Sequence, residues 1–324
     1  MTLTPKALIV GCLCIASLSS GLLQAQTYPS KNITIVVPTA PGGANDAMAR
    51  IIAQGLSQKM GQPVIVENKP GANGAIASEF VARAAPDGYT IMFGYIATHG
   101  INPALQRLKY DPIADFEPIG MVANSPTLLV ATNNLPVSNA KELVALLKAK
   151  PDSISYASAG KGTAPHLAAE LFQINTNTQM LHVPYKGSAP AIVDTIGGTT
   201  QVMFPRLFSA YPQVAGGKLK ALGIAGEKRA SVLPNIPTLK EQGIPNMNVT
   251  QWYALFAPAK TPKPIIARLN KELNLTLNDK TNEKKIEDQG AEVETGTPEQ
   301  LKNLVQKEVI RWKKLVDSAK ITAD

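Results

Sequence analysis

Past position 14 the chain contains no cysteine; its only two, Cys12 and Cys14, sit in the first stretch. A mature chain without thiols forms no disulfide and offers neither a cysteine nucleophile nor a thiolate metal site. Histidine is almost as scarce. His99, His166 and His182 are the only three, and none stands in H-E-x-x-H or another close ligand spacing, which argues against a metal centre. No G-x-G-x-x-G marks a dinucleotide site, so no cofactor is expected. No arginine-rich stripe with interleaved aromatics is present, which argues against nucleic acid. The run "AGKGT" (Ala159 to Thr163) approaches a phosphate-binding loop, yet Lys161 is followed by glycine and Ser155 stands where the first glycine belongs. "YASAG" approaches a nucleophile elbow at Ser158, with Tyr156 in place of its first glycine. No catalytic apparatus is visible, so the chain does not read as an enzyme. A secreted hydrolase acting on an anionic substrate is the alternative.

What is present begins with a leader. Lys6 precedes an apolar run from Ala7 to about Leu23, and small Ala25 suits the residue before a cleavage point. Residues 1–25 are therefore expected to be a signal peptide that exports the chain to the periplasm. Lipid modification at Cys12 fits poorly, because the apolar run continues past it. No later apolar stretch is long and charge-free enough to span a bilayer. The remaining chain of roughly 300 residues exceeds what one core usually serves, so two lobes are expected. The net charge of +8 is spread over dispersed lysines, a distribution that favours small anionic partners.

One local design then occurs four times. In "NITIVVPTAPGGANDAMARIIAQGLSQKMG" a strand over 33–37 leads through a Pro/Gly loop into a helix. Met48, Ile51, Ile52, Leu56 and Met60 recur near helical spacing, Asn45 or Asp46 caps the start, and Gly61 ends it. "PVIVENKPGANGAIASEFVARAAPDGYTIMFG" repeats the pattern, with a strand over 64–67, a helix over 75–85 and a further strand over 90–93. "SISYASAGKGTAPHLAAELFQI" has Thr163 as cap and Pro165 in the first turn, and "MLHVPYKGSAPAIVDTIGGTT" has Ser188 as cap. Strand–loop–helix alternation predicts parallel sheets in an α/β architecture. Ligands of such sheets sit outside the carboxyl ends of the strands, where helix starts offer unpaired N–H groups and partial positive charge. Gly42, Gly43, Gly71 and Gly74 let the backbone approach an anion closely, so a valine at Gly43 or Gly71 is expected to abolish binding. Two such loops before about residue 125 and two after it predict two facing lobes.

These segments, together with "VENKPGANG", "APDGYTIMFG", "HVPYKGSAPAIVD" and "FAPAKTPKPIIARLN", carry a resemblance to the Bug-type (TctC-like) periplasmic solute-binding proteins of tripartite tricarboxylate transporters. The likeness covers essentially the whole mature chain. It implies a type II periplasmic-binding-protein fold, with 27–125 plus 250–324 as one lobe and 126–249 as the other. It also implies capture of a small carboxylate by a monomer and delivery to integral-membrane transporter subunits. Carried over residue by residue, the ligand would meet Pro41, Gly42, Gly43, Ala44, Asn45 and Asp46, and Pro70, Gly71, Ala72, Asn73 and Gly74. From the second lobe it would meet Ser158, Ala159, Gly162, Thr163, His166, Tyr185, Lys186, Gly187 and Asp194.

One position departs from the family pattern. After "QVMF", where a small or polar residue is usual, the chain reads Pro205-Arg206. Arginine presents a planar fork matched to a carboxylate. With Phe204, Phe208, Trp252, Tyr253 and Tyr95 as apolar walls, Arg206 makes a dicarboxylate the favoured ligand, with an aromatic one such as terephthalate among the candidates.

Overall fold

The computed structural model describes residues 28–321, so the expected signal peptide lies outside the described residues. The first strand, β1 (Ile33–Val37), is buried at every position but Thr34, as a parallel strand covered on both faces must be. Helix α1 (Ala44–Met60) carries the chain to β2 (Val64–Asn68), and α2 (Ala75–Ala82) carries it to β3 (Thr90–Tyr95). Both β2 and β3 pair in parallel with β1. Gly61 ends α1 in the left-handed conformation, φ 69°, as expected. The helix start differs from expectation: Gly43 is the N-cap, and Asn45 and Asp46 lie inside the first turn.

After a π-helical turn (Ala97–Ile101) and α3 (Asn102–Leu105), β4 (Phe116–Ser125) runs directly into β5 (Thr127–Thr132), with only Pro126 between them. That proline marks a change of sheet. The second sheet is built from β5, then α4 (Ala140–Ala149), β6 (Ser155–Ser158), α5 (Ala164–Thr176), β7 (Leu181–Pro184), α6 (Ser188–Gly197), β8 (Val202–Met203), α7 (Leu207–Ala215) and β9 (Leu219–Ala225). The chain then returns to the first sheet as β10 (Gln251–Pro258), followed by α8 (Lys263–Leu277), α9 (Lys280–Glu287), β11 (Glu292–Val293) and α10 (Pro298–Ala319). The two crossing segments are tied together. Thr127 Oγ1 donates to Val249 O at 2.6 Å, and Val249 N–H donates to Ala225 O at 3.0 Å.

The strand orders are β11-β4-β10-β3-β1-β2 and β7-β6-β8-β5-β9, giving two α/β lobes. The parallel pairings expected from the strand–loop–helix units are joined by antiparallel ones: β10 is antiparallel to β3 and β4, and β5 is antiparallel to β8 and β9. These inserted strands escaped the periodic reading because β5 and β10 are buried at every residue. A strand without polar alternation looks like any other core segment.

Candidate functional site

A small cavity of about 60 Å³ lies between the lobes. The first lobe lines it with Asn73, Tyr95, Ile96, Ala97 and Gln251, the second with Ala159, Thr163, Ala164, Pro165, Ser188 and Arg206. Tyr95 ends β3, while Asn73, Ala159, Ser188 and Arg206 follow β2, β6, β7 and β8, so the cavity sits at strand carboxyl ends. A water needs roughly 10–15 Å³, so the space suits a compact small molecule. The starts of α5 and α6 face it, and the first N–H groups of a helix have no partner within the helix itself. Among the described residues Arg206 is the one charged side chain in the lining. Larger hollows of about 560 and 640 Å³ lie elsewhere. The charges of the first pair with one another, as Lys228 with Glu292 and Arg311 with Glu308, and the second lies on α4 and α5 away from the cleft.

In the first lobe the second Pro/Gly loop reaches the cavity through Asn73. Its left-handed backbone, φ 50°, is fixed by Asn102: Asn73 Nδ2 donates to Asn102 Oδ1 at 2.9 Å, and Asn102 Nδ2 donates to Asn73 O at 3.0 Å. Tyr95 Oη lies 3.3 Å from Asn73 Oδ1. Gly71 and Gly74 are required by geometry. Gly71 has φ 127° and its Cβ would meet Ile76 Cδ1 at 2.5 Å; Gly74 has φ 90° and its Cβ would meet Thr98 Cγ2 at 2.7 Å. Pro70, Gly71, Ala72 and Gly74 frame Asn73 without lining the cavity.

The first loop does not reach this cavity. Pro41, Gly42 and Gly43 are exposed, Ala44 is half-buried, and none of Pro41 to Asp46 lines the cavity. Asp46 is buried but engaged: its Oδ2 accepts Gly42 N–H at 2.9 Å and Arg50 Nε at 3.0 Å, and its Oδ1 accepts Asn68 Nδ2 at 2.9 Å. The Arg50 hydrogen bond, with those from Gly42 and Asn68, holds the Asp46 carboxyl down at about 2 despite burial. Asp46 therefore ties the β1 and β2 loops together. Gly43 has an ordinary backbone, φ −84°, and a Cβ added there would meet only Ala40 O, at 3.8 Å. A small side chain is therefore accommodated at Gly43. Asn45 Nδ2 is buried without a partner among the described residues.

In the second lobe Ala159 and Thr163 line the cavity, while Ser158, Gly162 and His166 form a brace beneath them. Ser158 Oγ lies 2.7 Å from His182 Nε2 and accepts Gly160 N–H at 3.1 Å; His166 Nδ1 accepts Gly162 N–H at 3.1 Å. The His166 and His182 rings stack with centroids 4.2 Å apart, and Tyr156 stacks on His182 at 4.8 Å. Burial, and then the neighbouring His166, push His182 down to about 4. Thr163 is the N-cap by position, but its Oγ1 donates to Gly160 O at 2.6 Å and makes no side-chain cap. Tyr185 and Asp194 engage each other, Tyr185 Oη donating to Asp194 Oδ2 at 2.7 Å. Burial and this hydrogen bond push Tyr185 up to about 12. Lys186 is exposed, and Gly187, φ 117°, replaces Ser188 as the N-cap of α6, making Ser188 the first helical residue.

The expected aromatic walls are largely corrected. Phe204 is fully buried against Phe172, ring centroids 5.4 Å apart. Trp252 donates from Nε1 to Glu308 Oε2 at 3.3 Å and faces a different hollow. Phe208 covers Gly290. Tyr95 alone of the five lines the cavity. Arg206 does line it, held by a backbone bridge to Thr127, and among the described residues it forms no ion pair. The residue missed in the sequence is Gln251, which is 2% exposed with both amide atoms lacking a partner among the described residues. A lone amide opening the apolar strand "QWYALFAP" was the available signal.

Comparison with known proteins extends this picture. The family model described as "Tripartite tricarboxylate transporter family receptor" matches residues 48–321. The chain is 33% identical over 315 residues to the protein BugT of Bordetella pertussis, covering 96% of each. An R. palustris protein solved with adipate is similar at 33% identity and TM-score 0.79, over 91% of this chain and 99% of that one. MatC from Rhodopseudomonas palustris, solved with bound malate, is similar at 35% identity and TM-score 0.76, over 89% and 100%. These relatives are solute-binding proteins and not enzymes, which removes the hydrolase alternative.

Proposed function

The chain belongs to the tripartite tricarboxylate transporter receptor family, and on that premise we propose that it captures an aliphatic dicarboxylate between its lobes. The observation that carries this reading is Arg206, a cation without an ion pair among the described residues, lining a cavity at the strand carboxyl ends. A carboxylate is its natural partner, because charge-assisted hydrogen bonds to the planar fork are about twice as strong as neutral ones. The second carboxylate then meets neutral N–H groups at the starts of α5 and α6, with Asn73, Tyr95, Ala159 and Thr163 around it. Adipate and malate, held by two similar proteins, are both aliphatic dicarboxylates. An aromatic ligand such as terephthalate loses its support once Phe204 and Trp252 leave the lining.

In this reading 27–125 with 250–324 closes as one body on 126–249, hinged at the paired crossing segments. The chain works as a periplasmic monomer, exported by residues 1–25, and delivers its ligand to integral-membrane subunits. A thermal-shift screen of the purified mature chain tests it, since a ligand that binds only the folded state raises stability by RT ln(1 + [L]/Kd). At least one aliphatic dicarboxylate should raise the melting temperature; stabilisation by monocarboxylates alone would refute the reading.

A further inference from the structure

Gln251 opens β10 and lines the cavity together with Arg206. The two are held on either side of the crossover between lobes: Gln251 pairs with Ser125 at the end of β4, and Arg206 bridges Thr127 two residues on. A carboxylate seated here accepts hydrogen bonds but donates none. It satisfies the guanidinium and the amide N–H. It leaves the carbonyl oxygen of Gln251 without a donor, whichever way the amide is turned. A buried acceptor left in that state carries the full cost of its desolvation.

We propose that Gln251 reads a hydroxyl carried by the ligand beside the carboxylate that Arg206 holds, so that the preferred ligand is a hydroxy-dicarboxylate. An ammonium is the other small donor, but among the described residues no Asp or Glu lines the cavity to accompany it, and Arg206 is a like charge. The inference rests on the dicarboxylate reading above and narrows it.

Titration calorimetry on the mature chain tests it, with succinate, glutarate and adipate, each beside its 2-hydroxy and 2-amino counterpart. At the best-fitting length the hydroxy acid should bind at least roughly tenfold tighter than the plain diacid, and the amino acid more weakly than both. In Gln251→Met, with folding checked by circular dichroism, the hydroxyl preference should shrink to within about threefold. Equal binding of plain and hydroxy acids by the unaltered protein overturns the inference and leaves the dicarboxylate reading standing. So does an unchanged preference in a folded Gln251→Met; if that variant does not fold, the ratio in the unaltered protein decides. Failure of every diacid, with a monocarboxylate bound instead, overturns the reading beneath it as well.

Discussion

Ser158 Oγ lies 2.7 Å from His182 Nε2, the spacing of a nucleophile and its base, yet Ser158 is fully buried and outside the cavity lining. The pair braces the loop that presents Ala159 and Thr163. Ser158→Ala should therefore cost about 1 kcal/mol of stability, because the half-buried imidazole loses its partner. Thermal melts should fall by a few degrees. Esterase and phosphatase assays should show no turnover in either protein; turnover that Ser158→Ala abolishes would restore the pair to catalysis.

His99 predicts an acid weakness. Its ring is fully buried, stacks on Phe256 at 3.8 Å, and leaves Nε2 without a partner among the described residues. Burial pushes it down to about 3, whereas the unfolded chain titrates near 6.5. Below that pH the unfolded state binds a proton that the native state refuses. Stability present above pH 6.5 is thus lost as pH falls toward 3, by about 1.4 kcal/mol per unit from this residue. Urea unfolding at pH 7.5, 6 and 5 should show the decline, and His99→Phe should flatten it. An equally steep decline in that variant would place the acid sensitivity elsewhere.

The two glycine loops should part company. Gly71→Val forces a β-branched residue to φ 127° and into Ile76, a strain of roughly 1–3 kcal/mol that also displaces Asn73. Ligand affinity should fall at least about tenfold. Gly43→Ala meets only Ala40 O, at an ordinary 3.8 Å contact and an ordinary φ, and should leave affinity within about twofold. Equal losses at both positions would return the first loop to the ligand.

The division between these loops shows where the sequence was legible. Strand–loop–helix units announce themselves through period and turn residues, so β1, α1, β2 and α5 were readable within a few residues. Arg206 was readable because a charge after an apolar strand is conspicuous. Asp46 was not, since an acid in a helix's first turn reads the same whether it meets a ligand or Gly42 and Asn68. Phe204 and Trp252 misled for a related reason: an aromatic side chain near a cleft in sequence faces either side of the strand that bears it. Gln251 needed the register of β10 beside β4, a long-range pairing with no local signature.

The most direct test of the whole account is calorimetry of Arg206→Ala with the preferred diacid and with the monocarboxylate of matching length. The loss for the diacid should be roughly 2–5 kcal/mol, because one charge of the buried pair is left alone, and the loss for the monocarboxylate should be much smaller. Equal losses for the two ligands, or none for either, would contradict the account and take Arg206 out of the binding site.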